Sequence, residues 1–262
     1  MKVAPPARSG QATLLVWVAL ASLSACMAGD SGAATLNGVW LELNSGQLSG
    51  RCVRVVVQQV PWLPLAPGYT HLAGGGLVDC ATGSNPDSAI SGQGASPYAD
   101  RIVLDLYLGT DTTTYHFDLT RSGDILTGSL TDPQDTLLGT QFRAVPLATG
   151  AIPGLYAVTG YQAPPGATAP TDTLDLEPQG SVGHFRVVSG AGCASQNVGE
   201  YHATVGVVVV THYYSPNAKA ACMVAGKDSL SVVGGQLVRR IIRPSAADTT
   251  KRDTIMEIYT RQ

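Results

Sequence analysis

Helical periodicity is almost absent from this sequence, and the folds built on amphipathic helices go with it. Basic clusters are missing too. With residues 1–25 set aside as a leader, 14 basic residues face 19 acidic ones, a balance near −5. Phosphates would find no positive face to meet, which argues against nucleic acid as a partner. After the leader no stretch is long and apolar enough to span a membrane as a helix. None of the five histidines falls in an HExxH motif, and no CxxC is present. There is no Gly-x-Ser-x-Gly elbow, and Gly74-Gly75-Gly76 lacks the lysine and helix of a phosphate loop. The four glutamates stand against fifteen aspartates, most of the latter beside Thr, Ser or Gly, where turns and strand ends want them. No cofactor or metal motif remains, and the pattern points away from an enzyme.

What is present begins with an address. Lys2 and Arg8 make a short positive segment, and Ala12 to Leu23 an apolar run of secretory length. The run ends in Leu23-Ser24-Ala25-Cys26, which resembles the lipobox of bacterial lipoproteins. The resemblance implies cleavage before Cys26 and a thioether-linked diacylglycerol on that cysteine. Each buried methylene of an acyl chain contributes about 0.8 kcal/mol, so two or more chains hold a stable anchor. Met27 stands where an aspartate would retain the protein in the inner membrane, so the resemblance favours the outer membrane. Residues Ala28 to Thr35 are small and polar and read as a tether.

Four cysteines remain: Cys52, Cys80, Cys193 and Cys222. An even number in an exported chain suggests two disulfides, and four cysteines allow three connectivities. Pairing in sequence order closes loops of 28 and 29 residues, each contributing about 3.5 kcal/mol by the chain-entropy estimate.

The rest reads as all-β. Tyr115 to Thr120 alternates apolar and polar, and so does Arg101 to Leu108. Cys52 to Val57 and Val205 to Val210 are β-branched runs suited to strands buried on both faces. Turn signals stand at Arg121 to Asp124 and Val233 to Gln236, and a short helix fits Pro216 to Cys222. The two halves also share a frame. Gly38-Val39-Trp40 opens the first and Phe142-Arg143 closes it; Gly154-Leu155-Tyr156 opens the second and Tyr259-Thr260-Arg261 closes it. The opening offset is 116 and the closing offset 118, while Gly123 and Gly234 are 111 apart.

A Gly-x-aromatic opening with a closing arginine resembles the lipocalin and wider calycin pattern. The resemblance implies up-and-down barrels, each plugged by an aromatic ring with a cation across it: Trp40 with Arg143, and Tyr156 with Arg261. Residues Gly190 to Met223, with Gly192-Cys193, Gly199-Glu200-Tyr201 and Ala221-Cys222, resemble the META-domain family of small envelope-associated β domains. The expected organisation is a signal peptide over 1–25, a lipidated tether over 26–35, and tandem β-barrel domains over 36–147 and 152–262.

The histidines read as polar residues on solvent faces of strands. His116 and Asp118 point the same way, the beginning of an acid–base pair, and His202 and His212 would meet across a hairpin. Trp62, Leu63 and Leu65, just before Tyr69, are core packing by default. Exposed at a barrel mouth they would form an apolar contact patch. The expected function is a lipid-anchored envelope protein binding an apolar small molecule or another envelope component. The rival is an envelope hydrolase assembled from dispersed Asp and His residues.

Overall fold

The computed structural model describes residues 36–43, 50–59, 65, 67–83, 88–108, 114–188, 193–213, 226–245, 248 and 250–262. The leader with Cys26, the tether, Trp62, Leu63, Cys222 and segment 216–222 lie outside the described residues, as does the Cys193 side chain.

Among the described residues there are sixteen strands and no helix. The first eight are β1 (Gly38–Glu42), β2 (Cys52–Gln59), β3 (His71–Val78), β4 (Ser88–Tyr98), β5 (Arg101–Leu108), β6 (Thr114–Ser122), β7 (Ile125–Thr131) and β8 (Leu137–Ala144). The second eight are β9 (Gly154–Gln162), β10 (Thr171–Leu176), β11 (Ser181–Val188), β12 (Cys193–Thr204), β13 (Val207–Tyr213), β14 (Gly226–Val233), β15 (Gln236–Pro244) and β16 (Arg252–Arg261). Each set runs up and down, every strand antiparallel to its neighbours, and closes when its last strand pairs with its first. Closure leaves no sheet edge unpaired. The chain is two tandem closed barrels.

The alternating sequences supply the first core. Ile102, Leu104 and Leu106 on β5 face inward, with Phe117 and Leu119 on β6, Val53, Val55 and Val57 on β2, and Trp40, Leu126 and Phe142. Phe117 and Phe142 pack edge to face at 5.7 Å between centroids. Barrel one is filled by its own side chains, and Cys52–Cys80 staples it with Cα atoms 5.0 Å apart.

The common frame is visible at both openings. The Trp40 indole N–H donates to the Leu36 carbonyl at 3.1 Å, and the Tyr156 hydroxyl donates to the Ile152 carbonyl at 2.9 Å. Both bonds reach four residues back. Gly38 and Gly154, between donor and acceptor, have φ of +147° and +151°, a region that side-chain-bearing residues rarely enter. Gly123 and Gly234 turn corresponding hairpins, β6–β7 and β14–β15; their offset departs from 116 because loops between the strands differ in length. Val205 is fully exposed in the β12–β13 turn, so that β-branched run starts its strand at Val207.

The expected Trp40–Arg143 pair is corrected by parity. Trp40 lies directly across from Ala144 on β8, so Trp40, Ala144 and Phe142 face inward while Arg143 points out and is exposed. A one-residue step along a strand changes the face. The cation over the indole is instead Arg121, at the end of β6 on the face of Phe117 and Leu119, 5.3 Å from the ring centroid. Arg121→Met is expected to lose about 0.5–2 kcal/mol and Arg143→Met to stay within about 0.5 kcal/mol, measured by urea unfolding. In barrel two, Arg261 is the register partner of Tyr156 on the neighbouring strand, with its guanidinium against Gly154.

The barrels are fastened side by side. Val39, Val56 and Leu72 on the outside of barrel one pack with Val198 of β12, with Leu65, Val145 and Leu147 around them. Gly74 and Gly76 follow Leu72 on the outward face of β3, which therefore carries no side chain there and lies buried along its length. Arg54 donates to Glu200 at 2.9 and 2.7 Å, Gln58 to Asp175 at 3.2 Å, Ser181 to Gln58 at 2.6 Å, and Asn37 to Glu177 at 3.0 Å. Backbone bonds hold the connecting segment at Val145–Val39 and Ala203–Ala148.

Candidate functional site

One half of the second barrel is apolar. Tyr156, Leu176, Val182, Tyr201, Val208, Leu237 and Tyr259 fill it. The other half carries charge. Asp172 on β10, His184 on β11, His212 on β13, Asp228 on β14, Arg239 on β15 and Glu257 on β16 take inward positions two residues from apolar core neighbours, and Arg186 on β11 and Asn197 on β12 share the inward parity of His184 and Gly199. The pleat that turns Leu174 and Leu230 inward also turns Asp172 and Asp228 inward, two places away.

The charges form one network. Asp172 receives His184 Nε2, Arg186 Nη1 at 2.7 Å and the Tyr259 hydroxyl at 3.0 Å. Arg186 reaches Glu257 at 2.6 and 3.2 Å, and Arg239 reaches the same carboxylate at 3.3 Å while pairing with Asp228. The Tyr259 hydroxyl also lies 3.1 Å from Glu257; with one proton it donates to one carboxylate at a time. Burial pushes the Asp172 carboxyl up, but His184, Arg186 and Arg239 together bring it below the usual range. Burial raises the Tyr259 hydroxyl well above its ordinary value, with Asp172 and Glu257 adding to it. Asp172 and Glu257 have no exposed side-chain surface, whereas Arg186 and Asp228 keep 15% and 20%. Water therefore meets the network on the side of these two.

Some polar atoms in this cup have no partner among the described residues: Nδ1 of His184, Nδ1 of His212, and both Nδ2 and Oδ1 of Asn197. The two imidazoles lie 5.1 Å apart, tilted by 39°. Among the described residues no three His, Cys, Asp or Glu side chains converge to hold a metal ion.

The histidines depart from their sequence reading. His71, His184 and His212 are buried rather than on solvent faces. His202, paired with Val209, faces away from the cup, so it does not meet His212 across the hairpin. His116 bonds not to Asp118 but to Asp105 on the neighbouring strand, at 2.5 Å, while Asp118 pairs with Arg101. Of the proposed contact patch, Leu65 joins the packing between the barrels and Tyr69 donates to Asp105. A shallow groove of roughly 270 Å³ between the barrels is lined by Trp40, Arg121, Asp124, Pro146, Leu147 and Pro178, among others.

Burial alone lowers His71 to about 4, and burial with help from His184 and Arg239 lowers His212 well below 6.5. Both rings are neutral when folded, whereas an unfolded histidine takes a proton near pH 6.5. The unfolded chain therefore binds more protons below that pH, and stability falls as pH drops from 6.5 toward 4. The urea midpoint should be lower at pH 5 than at pH 7, with a smaller difference in His71→Gln. Equal differences in the two proteins would mean that His71 is solvated.

No family model matches this chain, and neither the curated proteins nor the solved structures compared with it give a match. The barrel architecture is compatible with the calycin-like resemblance at the level of fold.

Proposed function

We propose that this chain is a lipid-anchored, non-enzymatic binding protein of the bacterial cell envelope, in which the first barrel is a filled scaffold and the second carries the ligand. The observation that carries this reading is the contrast between the two interiors. Trp40, Phe117, Phe142 and the aliphatic side chains occupy the first. The second keeps buried polar atoms that have no partner among the described residues. Interiors normally satisfy such groups, because each one left bare costs about 1–3 kcal/mol. Of the ligands the sequence left open, this favours a polar envelope component over an apolar molecule.

The anchor rests on the lipobox resemblance at Cys26. Cys26→Ser is expected to move the protein from the membrane fraction to the soluble one, and unchanged fractionation would defeat the anchor. Native mass spectrometry of the exported, oxidised protein tests the ligand. A reproducible extra mass released on denaturation supports a retained molecule. A bare mass, together with no small-molecule binding in solution, removes the binding role.

One observation favours the hydrolase reading. Asp172 holds one nitrogen of His184 and leaves the other facing the cup, the arrangement in which a carboxylate orients an imidazole for proton transfer. No hydroxyl or thiol among the described residues bonds to that second nitrogen. Saturable turnover in a panel of ester, glycoside and peptide substrates, lost in His184→Gln, would favour this rival.

A further inference from the structure

The cup has a chemistry of its own. Asn197 is 1% exposed, and its amide, with two N–H donors and a carbonyl acceptor side by side, has no partner on either atom among the described residues. His184 lies directly across from it on β11. His212 is its diagonal neighbour on β13, where Gly199 of β12 pairs with His212. Three adjacent strands thus present four unpartnered polar atoms to one interior face.

The charged groups, by contrast, are engaged with one another. Asp172 is held by His184 and Arg186, Glu257 by Arg186 and Arg239, with the Tyr259 hydroxyl serving one of the two, and Asp228 by Arg239. A charged ligand would have to break one of these pairs or bring an uncompensated charge into a buried site. A neutral ligand needs only the atoms that are free.

We infer that the second barrel binds a small uncharged molecule of the carboxamide or ureido class, its adjacent donor and acceptor meeting the Asn197 amide beside the imidazoles of His184 and His212. The inference rests on the reading of this barrel as the ligand-carrying one. The competing account is that two or three ordered waters satisfy the same atoms and nothing else enters.

Three probes of one shape and different charge separate these accounts: acetamide, acetate and acetamidinium. Each is titrated into the intact oxidised protein with ¹⁵N-labelled histidine at pH 7.5, following the ring nitrogens of His184 and His212. Acetamide should shift both rings saturably with a Kd in the millimolar range, about what four heavy atoms supply. It should bind roughly ten-fold or more tightly than either ion, a gap of about 1.4 kcal/mol. Asn197→Leu should abolish the shifts; persistence of the shifts in the folded variant would overturn the role given to Asn197. If that variant does not fold, Asn197→Ser serves in its place, and the three-probe comparison needs no variant. Tighter binding of acetate or acetamidinium would overturn the ligand class while keeping the barrel as a binding site. No saturable shift from any probe would overturn both, leaving water in the cup.

Discussion

Replacing Glu257 by leucine is expected to cost about 3–5 kcal/mol of stability, the largest loss from any single side chain in the second barrel. The carboxylate has no exposed surface and is the meeting point of Arg186, Arg239 and the Tyr259 hydroxyl. Leucine restores volume but leaves Arg186 with Asp172 and Arg239 with Asp228, and the buried cluster short of one negative charge. Removing one partner from a buried ionic cluster costs this much because the other charge stays buried without compensation. The same principle says that the intact network adds little net stability over a well-packed apolar core. A protein selected for stability alone has no need of it, which fits a role in binding. Urea unfolding of Glu257→Leu measures the loss directly. A loss below about 1 kcal/mol would mean that water solvates the guanidiniums freely.

The second large effect is the Cys52–Cys80 bridge. It closes a span of 28 residues that contains β2 and β3, the strands packed against the other barrel. Cys52→Ser with Cys80→Ser should lower stability by about 3.5 kcal/mol, mainly because the unfolded chain regains the freedom the loop removes. Reducing buffer should lower the wild-type protein by at least this much, and the variant only by what a Cys193–Cys222 bridge contributes. A variant as stable as the oxidised parent would place the stabilisation elsewhere.

The strand content, the two barrels and the first disulfide were legible in the sequence because each is written locally. Alternation over Arg101 to Leu108 marks a half-buried strand, Gly-x-aromatic marks each opening, and Cys52 and Cys80 are near neighbours along the chain. Arg121 was not legible as the cation over Trp40, because closure decides which strands meet across a barrel end. Arg143 has the right position in sequence and the wrong parity. The polar cup does leave a trace in the sequence. Asp172-Leu174-Leu176, Val182-His184-Arg186 and Ile255-Glu257-Tyr259 each put a charge or imidazole in step with apolar residues. Read two apart, such a charge belongs to the buried face. Its partners lie on other strands, and only the topology brings them together. The contacts between the barrels had no local signature, though Gly74-Gly75-Gly76 on a strand is what close approach leaves behind.

Closure by pairing the first strand of each barrel with its eighth also sets a timetable. Barrel one is complete once β8 meets β1, with no strand of the second barrel required. Until β12 arrives, Val39, Val56 and Leu72 lie bare on its flank and Arg54 lacks Glu200. The newborn first barrel is thus a sticky half-product, and its natural cover is a strand of the same polypeptide still on its way. Any delay between the folding of the two halves lengthens the time in which a second, equally unfinished molecule can take that place.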